Sequence, residues 1–530
     1  MIKILTKPVL ALALLALAAG TGCHKKLDLF PVNDITSETV FRTPLGYRQA
    51  LAKIYQGLAV TDGDIPGQIV SDEGNTGFLR QLWYLQSLTT DEAAWTYFGN
   101  TDPIGIHQMQ WNAGNQTIAG LYYRCFYMVT LCNNYISEST PAKVSGRGIS
   151  GADAATIATY QAEARFVRAY MYAVLLDAFG SVPFTDETYV IGSGVLPQQK
   201  SRADLFKYVE DELKAIETLL PAPRTNENGR VDQGAAWALL SRLYLNAEVY
   251  TGTARWQDCV TYSNKVISAG YALHNDYRQL MLADNHLLTA TEFIWTLRFD
   301  GTSTQTFSGT TFLVHAPAGV PGSVSGTNGT WDCTRIPEQF VDKFNSQDVR
   351  GQFWTATQSK SMDVLLGDPR SGYSSIKFRN VTRTGERGPN TDAGGTFVDV
   401  DFPVFRLAEV YLNYAEATLR GGAASGGNSA TAIGYLRQLA TRARPTDANA
   451  AASAELTLPY LIDERGRELF WECTRRTDLV RFGQFTTATY LWDWKGGARN
   501  GAAVAPTRNI FPIPSIDISS NPNLRQNPGY

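Results

Sequence analysis

From Phe166 the apolar pairs Phe166-Val167, Tyr170-Met171, Val174-Leu175 and Ala178-Phe179 recur every four residues, which places them on one face of an α-helix. Gly180 and then Pro183 end the run in the order that closes helices. Ser201 opens a second helix, with Asp204 three residues on as a variant of the capping box. Leu205, Phe206, Val209, Leu213, Ile216, Leu219 and Leu220 give its buried stripe, and Pro221 ends it. A third helix is predicted from about Gly234 to Tyr250 and a fourth from Trp256 to Ala269, closed by Gly270. Small residues at the crossings (Ala235, Ala236, Ala238, Ala247, Ala269) suit close helix pairs. The pattern predicts a mainly α protein built on a tetratricopeptide-like stack of helical pairs, although no strict 34-residue repeat is present.

Residues 271–400 break the helical pattern. Gly, Ser and Thr crowd Gly301 to Thr330 and Arg370 to Thr396, and short apolar runs such as Phe293 to Leu297 read as strands. Helices are predicted again at Val404–Leu419, Ala432–Arg442 and Tyr460–Glu472. The expected organisation is one domain over 23–530, with a helical scaffold at about 40–270 and 400–485 and a loop-rich insertion at about 271–400. Long structured loops on a helical scaffold are the expected place for function.

The N-terminus reads as an export signal. Lys3 and Lys7 precede an apolar run from Val9 to Ala19, and Gly20-Thr21-Gly22 lead to Cys23. The run is shorter than the roughly 20 apolar residues that span a bilayer. Small residues before a cysteine resemble a bacterial lipoprotein box, so residues 1–22 are expected to be removed and Cys23 acylated.

Composition excludes classes rather than naming one. A net charge of −3 over 530 residues supplies no basic field for nucleic-acid phosphates. Neither the five histidines nor the cysteines fall into metal-binding spacing. Cys125 and Cys132, seven apart, fit two apolar positions on one helix face. Asp284-Asn285 offers two oxygen-bearing side chains, whereas a calcium ion takes roughly six to eight oxygen ligands. Aromatic residues make up 11% of the chain, enough to stack on sugar rings as well as fill a core.

Five blocks carry a family resemblance: Leu27-Asp28 with Pro31; Ala162 to Tyr170 with Phe179 to Phe184; Asp401 to Ala417; Glu464 to Leu469 with Arg475 to Gly483; and the ending Phe511 to Pro514 with Asn521 to Tyr530. In this order over the whole mature chain, they resemble the SusD/RagB family. That resemblance implies an outer-membrane lipoprotein that captures glycan as a lid on a SusC-like TonB-dependent transporter. Tyr490 to Ala498, Gly322 to Arg335 and Thr90-Asp91-Glu92 leading into Trp95 are similar to the family's starch-binding founder. The founder holds an α-glucan on an arc of aromatic rings. By position Trp95, Tyr97, Asn100 and Trp331 match that arc, and Phe307 falls where the founder has a tyrosine. Asp72 and Arg80 match polar contacts on an adjoining mobile loop, Ser71 to Leu82.

The chemistry of those residues suits a sugar. A pyranose has an apolar C–H face for an aromatic ring and a rim of hydroxyls for Asn, Asp and Arg. Against this, Trp95 and Tyr97 fit core packing about as well as a surface turn, and Trp492 and Trp494 fit the helical body better than a site. A glycosidase needs two carboxylates about 5–10 Å apart. The candidates are Asp91-Glu92, Asp332, and Glu464 with Glu468, where Arg465 and Arg467 favour ion pairing. No GxSxG or nucleophile–His signature is present. Binding of starch or maltooligosaccharides without catalysis or cofactor is the expected function, ahead of a family member that binds a different glycan, an endo-acting glycosidase or a pure scaffold.

Overall fold

The structure, a computed structural model, describes residues 37–61, 73–99, 101–190, 192–288 and 291–530. The N-terminal signal, Cys23, Asp72 and Asn100 lie outside the described residues.

The scaffold is helical. Helices α1 (Pro44–Ala59), α2 (Phe78–Trp83), α3 (Gln116–Glu138), α4 (Gly151–Phe179), α5 (Arg202–Ile216), α6 (Gln233–Leu245) and α7 (Trp256–Ile267) precede the insertion. Local chemistry sets many of their ends. Ser201 accepts from the Asp204 amide and its hydroxyl donates to the Asp204 carboxylate at 2.6 Å, a side-chain variant of the capping box. Asn115 and Asp232 cap α3 and α6 by accepting from the Ile118 and Ala235 amides, and Gly180, at φ +70°, stops α4.

Neighbouring helices pack in sequence: α3 on α4, α4 on α5, α6 on α7. After the insertion come α8 (Leu407–Gly421), α9 (Ser429–Ala443), α10 (Leu458–Leu469) and α11 (Arg475–Arg481). Helix α8 packs against α7 and α9, so the late helices extend the stack begun by the early ones. Each pair buries its apolar face against the next, which is how helical-pair stacks hold together. Cys125 and Cys132 are both buried on α3.

Three boundaries differ from the sequence expectation. The helix predicted over Gly234–Tyr250 breaks at Asn246, whose side-chain oxygen accepts from Arg481 at 2.7 Å. The stripe on α5 ends at Ile216, so Leu219 lies exposed while Leu220 is buried. The segment Phe402–Arg406, whose end was expected to open a helix at Val404, is instead a strand.

That strand pairs antiparallel with Phe293–Leu297, with Phe293 opposite Arg406 and Leu297 opposite Phe402. Trp295 from this ribbon meets Phe166 and Tyr170 of α4 edge-on at 5.3 and 5.1 Å, tying the insertion to the scaffold. A buried ionic cluster locks the same junction. Arg406 contacts Glu292 at 3.0 Å and Glu472 at 2.6 Å, Arg442 reaches Glu292 at 2.7 Å, and Lys377 reaches Glu472 at 2.6 Å. Glu468 joins this cluster through Arg406 and Arg442, and Arg350 links it to Glu464. Arg467 pairs with Glu464 as expected, whereas Arg465 turns to Asp478 at 2.8 Å.

A candidate glycan-binding face

The candidate site forms where Ala94–Trp95 (β1) pairs antiparallel with Thr334–Arg335 (β2) of the insertion. The Thr96 amide donates to the Cys333 carbonyl at 2.8 Å, and the Thr96 hydroxyl donates to the Asp332 carbonyl at 3.3 Å. Tyr97 therefore adjoins the segment that carries Trp331, although the two are far apart in sequence.

Trp331 is held from behind. Its amide donates to the His315 carbonyl at 2.6 Å, and its indole stacks on the His315 imidazole at 4.5 Å with 15° between planes. Burial pushes the His315 pKa below its ordinary value, so the ring is neutral and bonds the Thr396 carbonyl through Nε2 at 2.8 Å. A neutral, anchored imidazole fixes one side of the indole, which stays partly exposed. Phe307 lies 6.3 Å from Trp331 between centroids, with Phe397 at 5.1 Å on its flank. Phe307 is 40% exposed and Tyr97 48%. Asn328, in the same loop system, donates to Gly394 and Thr396, stapling the two Gly-rich loops together.

Two expectations are corrected. Trp95, expected on the arc, is 1% exposed and packs edge-on against Tyr84 at 5.7 Å. Its indole N–H donates to the Tyr97 carbonyl at 3.1 Å, so it supports Tyr97 instead of facing solvent. Arg80, expected on a mobile loop, sits buried on α2. Its guanidinium lies over Phe312 at 4.4 Å, bonds the Tyr84 hydroxyl at 2.8 Å and donates to the Phe307 carbonyl at 3.2 Å. The position of Phe307 thus depends on Arg80.

The carboxylates weighed for catalysis are mostly spent on the fold. Asp91 is buried against Arg475 at 2.8 Å, and opposing positive charge outweighs burial to hold its pKa low. Glu92, buried beside it, accepts from the Trp471 amide at 3.2 Å and is pushed up to about 8, chiefly by burial. Glu464 and Glu468 are buried in the ionic cluster. Asp332 is exposed, and one of its oxygens accepts from the Gly319 amide at 2.6 Å. Trp492 is fully buried, and the Trp494 indole donates to the Met362 carbonyl. Asp284 accepts from the Arg383 amide, while Asn285 bonds Leu280 and Asp401. Among the described residues no group of three or more His, Cys, Asp or Glu side chains is placed to hold a metal ion.

Residues 352–530 match the family model for the SusD family. The whole chain is 34% identical over 583 residues to the starch-binding protein SusD of Bacteroides thetaiotaomicron, covering 99% of both proteins. SusD-like protein P25 of Formosa agariphila is 23% identical, over 96% of this chain and 97% of its own. Among solved structures, surface glycan-binding protein A from Bacteroides uniformis has a TM-score of 0.71 at 20% identity, covering 92% of this chain and 99% of that one. Surface glycan-binding protein A from Bacteroides thetaiotaomicron in complex with laminarihexaose has a TM-score of 0.68 at 19% identity, covering 91% and 98%. The chain belongs to the SusD family.

Sequence reasoning did not find His315 or Phe397, which lie against Trp331 and Phe307.

Proposed function

We propose that this protein binds α-glucan, as starch and maltooligosaccharides, at the cell surface without cleaving it. It hands the glycan to a SusC-like TonB-dependent transporter and is held in the outer membrane by acyl chains on Cys23. What supports this reading is the pair of rings Phe307 and Trp331, 6.3 Å apart and at least partly exposed, with exposed Tyr97 on the segment hydrogen-bonded beside that of Trp331, and with Trp95, Arg80 and His315 as supports behind them. Rigid rings take the apolar faces of successive sugars at little ordering cost. The 34% identity along the full length of a starch-binding protein favours α-glucan as the ligand. The commitment of Asp91, Glu92, Glu464 and Glu468 to buried contacts favours binding without cleavage. The small residues Gly20-Thr21-Gly22 before Cys23 favour a lipid on that cysteine as the anchor.

Affinity electrophoresis in gels cast with starch, pullulan, dextran, laminarin or xylan tests the reading. Retardation by starch and pullulan alone is the expected outcome. Preferential retardation by laminarin would overturn the α-glucan assignment, and free migration in every gel would overturn glycan binding altogether. Reducing ends released on incubation with starch would overturn the non-catalytic role.

A further inference from the structure

Phe98 is 65% exposed, more than either Tyr97 or Phe307, and it follows Tyr97 directly in the chain. A lone apolar side chain in water needs no explanation, but a ring held against a braced loop beside a binding face does. Gly367, at φ +87°, lies under that ring: a Cβ there would come within 2.9 Å of it. Only a glycine lets the ring and the backbone approach so closely.

The loop beneath Phe98 is tied down at several points. Arg335, opposite Ala94 in the β1–β2 pair, donates to the carbonyls of Ser371 at 2.9 Å, Leu365 at 3.4 Å and Asp368. The Val364 amide donates to the Ser371 hydroxyl at 2.9 Å. Ala94, Met362 and Leu365 form a small apolar cluster of their own, with Leu366 and Trp494 packed on it. Val364, on the same loop, points an apolar side chain into solvent. The strand pair that positions Tyr97 thus also positions this apolar shelf.

We infer that Phe98 forms an outer subsite for the next pyranose ring of a chain lying over Tyr97, Phe307 and Trp331. This inference rests on the glycan reading above. The ring has no hydroxyl, so it reads the apolar face of the sugar and adds affinity for length without demanding a particular hydroxyl pattern. Its place directly after Tyr97 in the chain, and the bracing of the shelf beneath it, make a sugar of the same chain the proposed occupant.

Isothermal titration of the unaltered protein, Phe98→Ala and Phe98→Trp against maltotriose through maltooctaose tests it. In the unaltered protein, affinity should rise by roughly five- to tenfold as the oligosaccharide grows past the three inner rings. Phe98→Ala should bind the shortest oligosaccharides unchanged and lose that rise, while Phe98→Trp should keep it. Because the side chain is exposed, its truncation leaves the core intact. A rise preserved in Phe98→Ala, an equal loss at every length, or an affinity independent of length in the unaltered protein would overturn the subsite alone. No binding by the unaltered protein at any length would overturn the glycan reading and the subsite with it.

Discussion

The backbone amide of Thr96 and the carbonyl of Cys333 meet at 2.8 Å, and that bond brings the aromatic segment after β1 beside the one before β2. Around it the partly exposed rings face outward and the buried ones support them, so substitutions at neighbouring aromatics should have opposite signatures.

Trp331→Ala should weaken α-glucan binding by about 2 kcal/mol, because it removes a stacking face at a binding hot spot, and should cost less stability than the loss of a fully buried ring. Trp95→Ala should destabilise the fold by about 3–5 kcal/mol, as expected for a buried ring. Titration with a cyclodextrin and thermal melts of both variants separate the two. Cyclodextrins should bind the unaltered protein at least as well as linear maltooligosaccharides of similar length, since they arrive already curved.

Arg80 should act on binding through Phe307. Arg80→Lys keeps the charge but loses the fork that reaches both the Tyr84 hydroxyl and the Phe307 carbonyl. A double-mutant cycle with Phe307→Ala, read by titration calorimetry, should give a coupling energy of about 0.5 kcal/mol or more. Additive losses would show that Arg80 does not position the ring.

Glu92 should set a pH dependence of stability. Its folded pKa of about 8 lies above its ordinary value of 4.5, so between these the folded state holds a proton that the unfolded chain has released. Stability contributed by that proton is present below about pH 4.5 and is lost as pH rises through 8. Glu92→Gln, which cannot ionise, should therefore melt above the unaltered protein at pH 8–9, and the difference should shrink toward pH 5. Melts over that range provide the check, and a difference constant with pH would refute the assignment.

Arg406 should be among the costliest residues to replace. Arg406→Met leaves Glu292, Glu468 and Glu472 buried with less compensating charge. Breaking such a cluster from one side typically costs about 3–5 kcal/mol. Urea unfolding should show the loss as a lower midpoint with an unchanged slope.

Cys23→Ala should release the protein from membranes while leaving glycan binding intact, and mass spectrometry of the mature N-terminus reads the acylation directly. In mild detergent the unaltered protein should co-purify with a TonB-dependent β-barrel across an interface burying more than about 2,000 Å². Isolation as a lone monomer would count against that partner.

The helices of this protein were legible in its sequence because their causes are local. Apolar residues every four positions, Ser201 with Asp204, and Gly180 act within a turn or two of the chain, and the structure places helices where they indicate. The family was legible too, through blocks of sequence along the whole chain. The aromatic face was not, because long-range pairing decides which side of a short strand sees water. The family resemblance put Trp95 and Tyr97 on one arc, yet the strand ends at Trp95 and its indole folds back to the Tyr97 carbonyl. Arg80 read as a loop contact because nothing near it in sequence reveals that Phe307, 227 residues on, comes to lie above it. Val404 read as the start of a helix because the strand that claims it, Phe293–Leu297, is contributed from the far side of the insertion. Local hydrogen bonds and periodicity specify elements; burial against residues distant in sequence assigns the side chains of those elements to core or to surface.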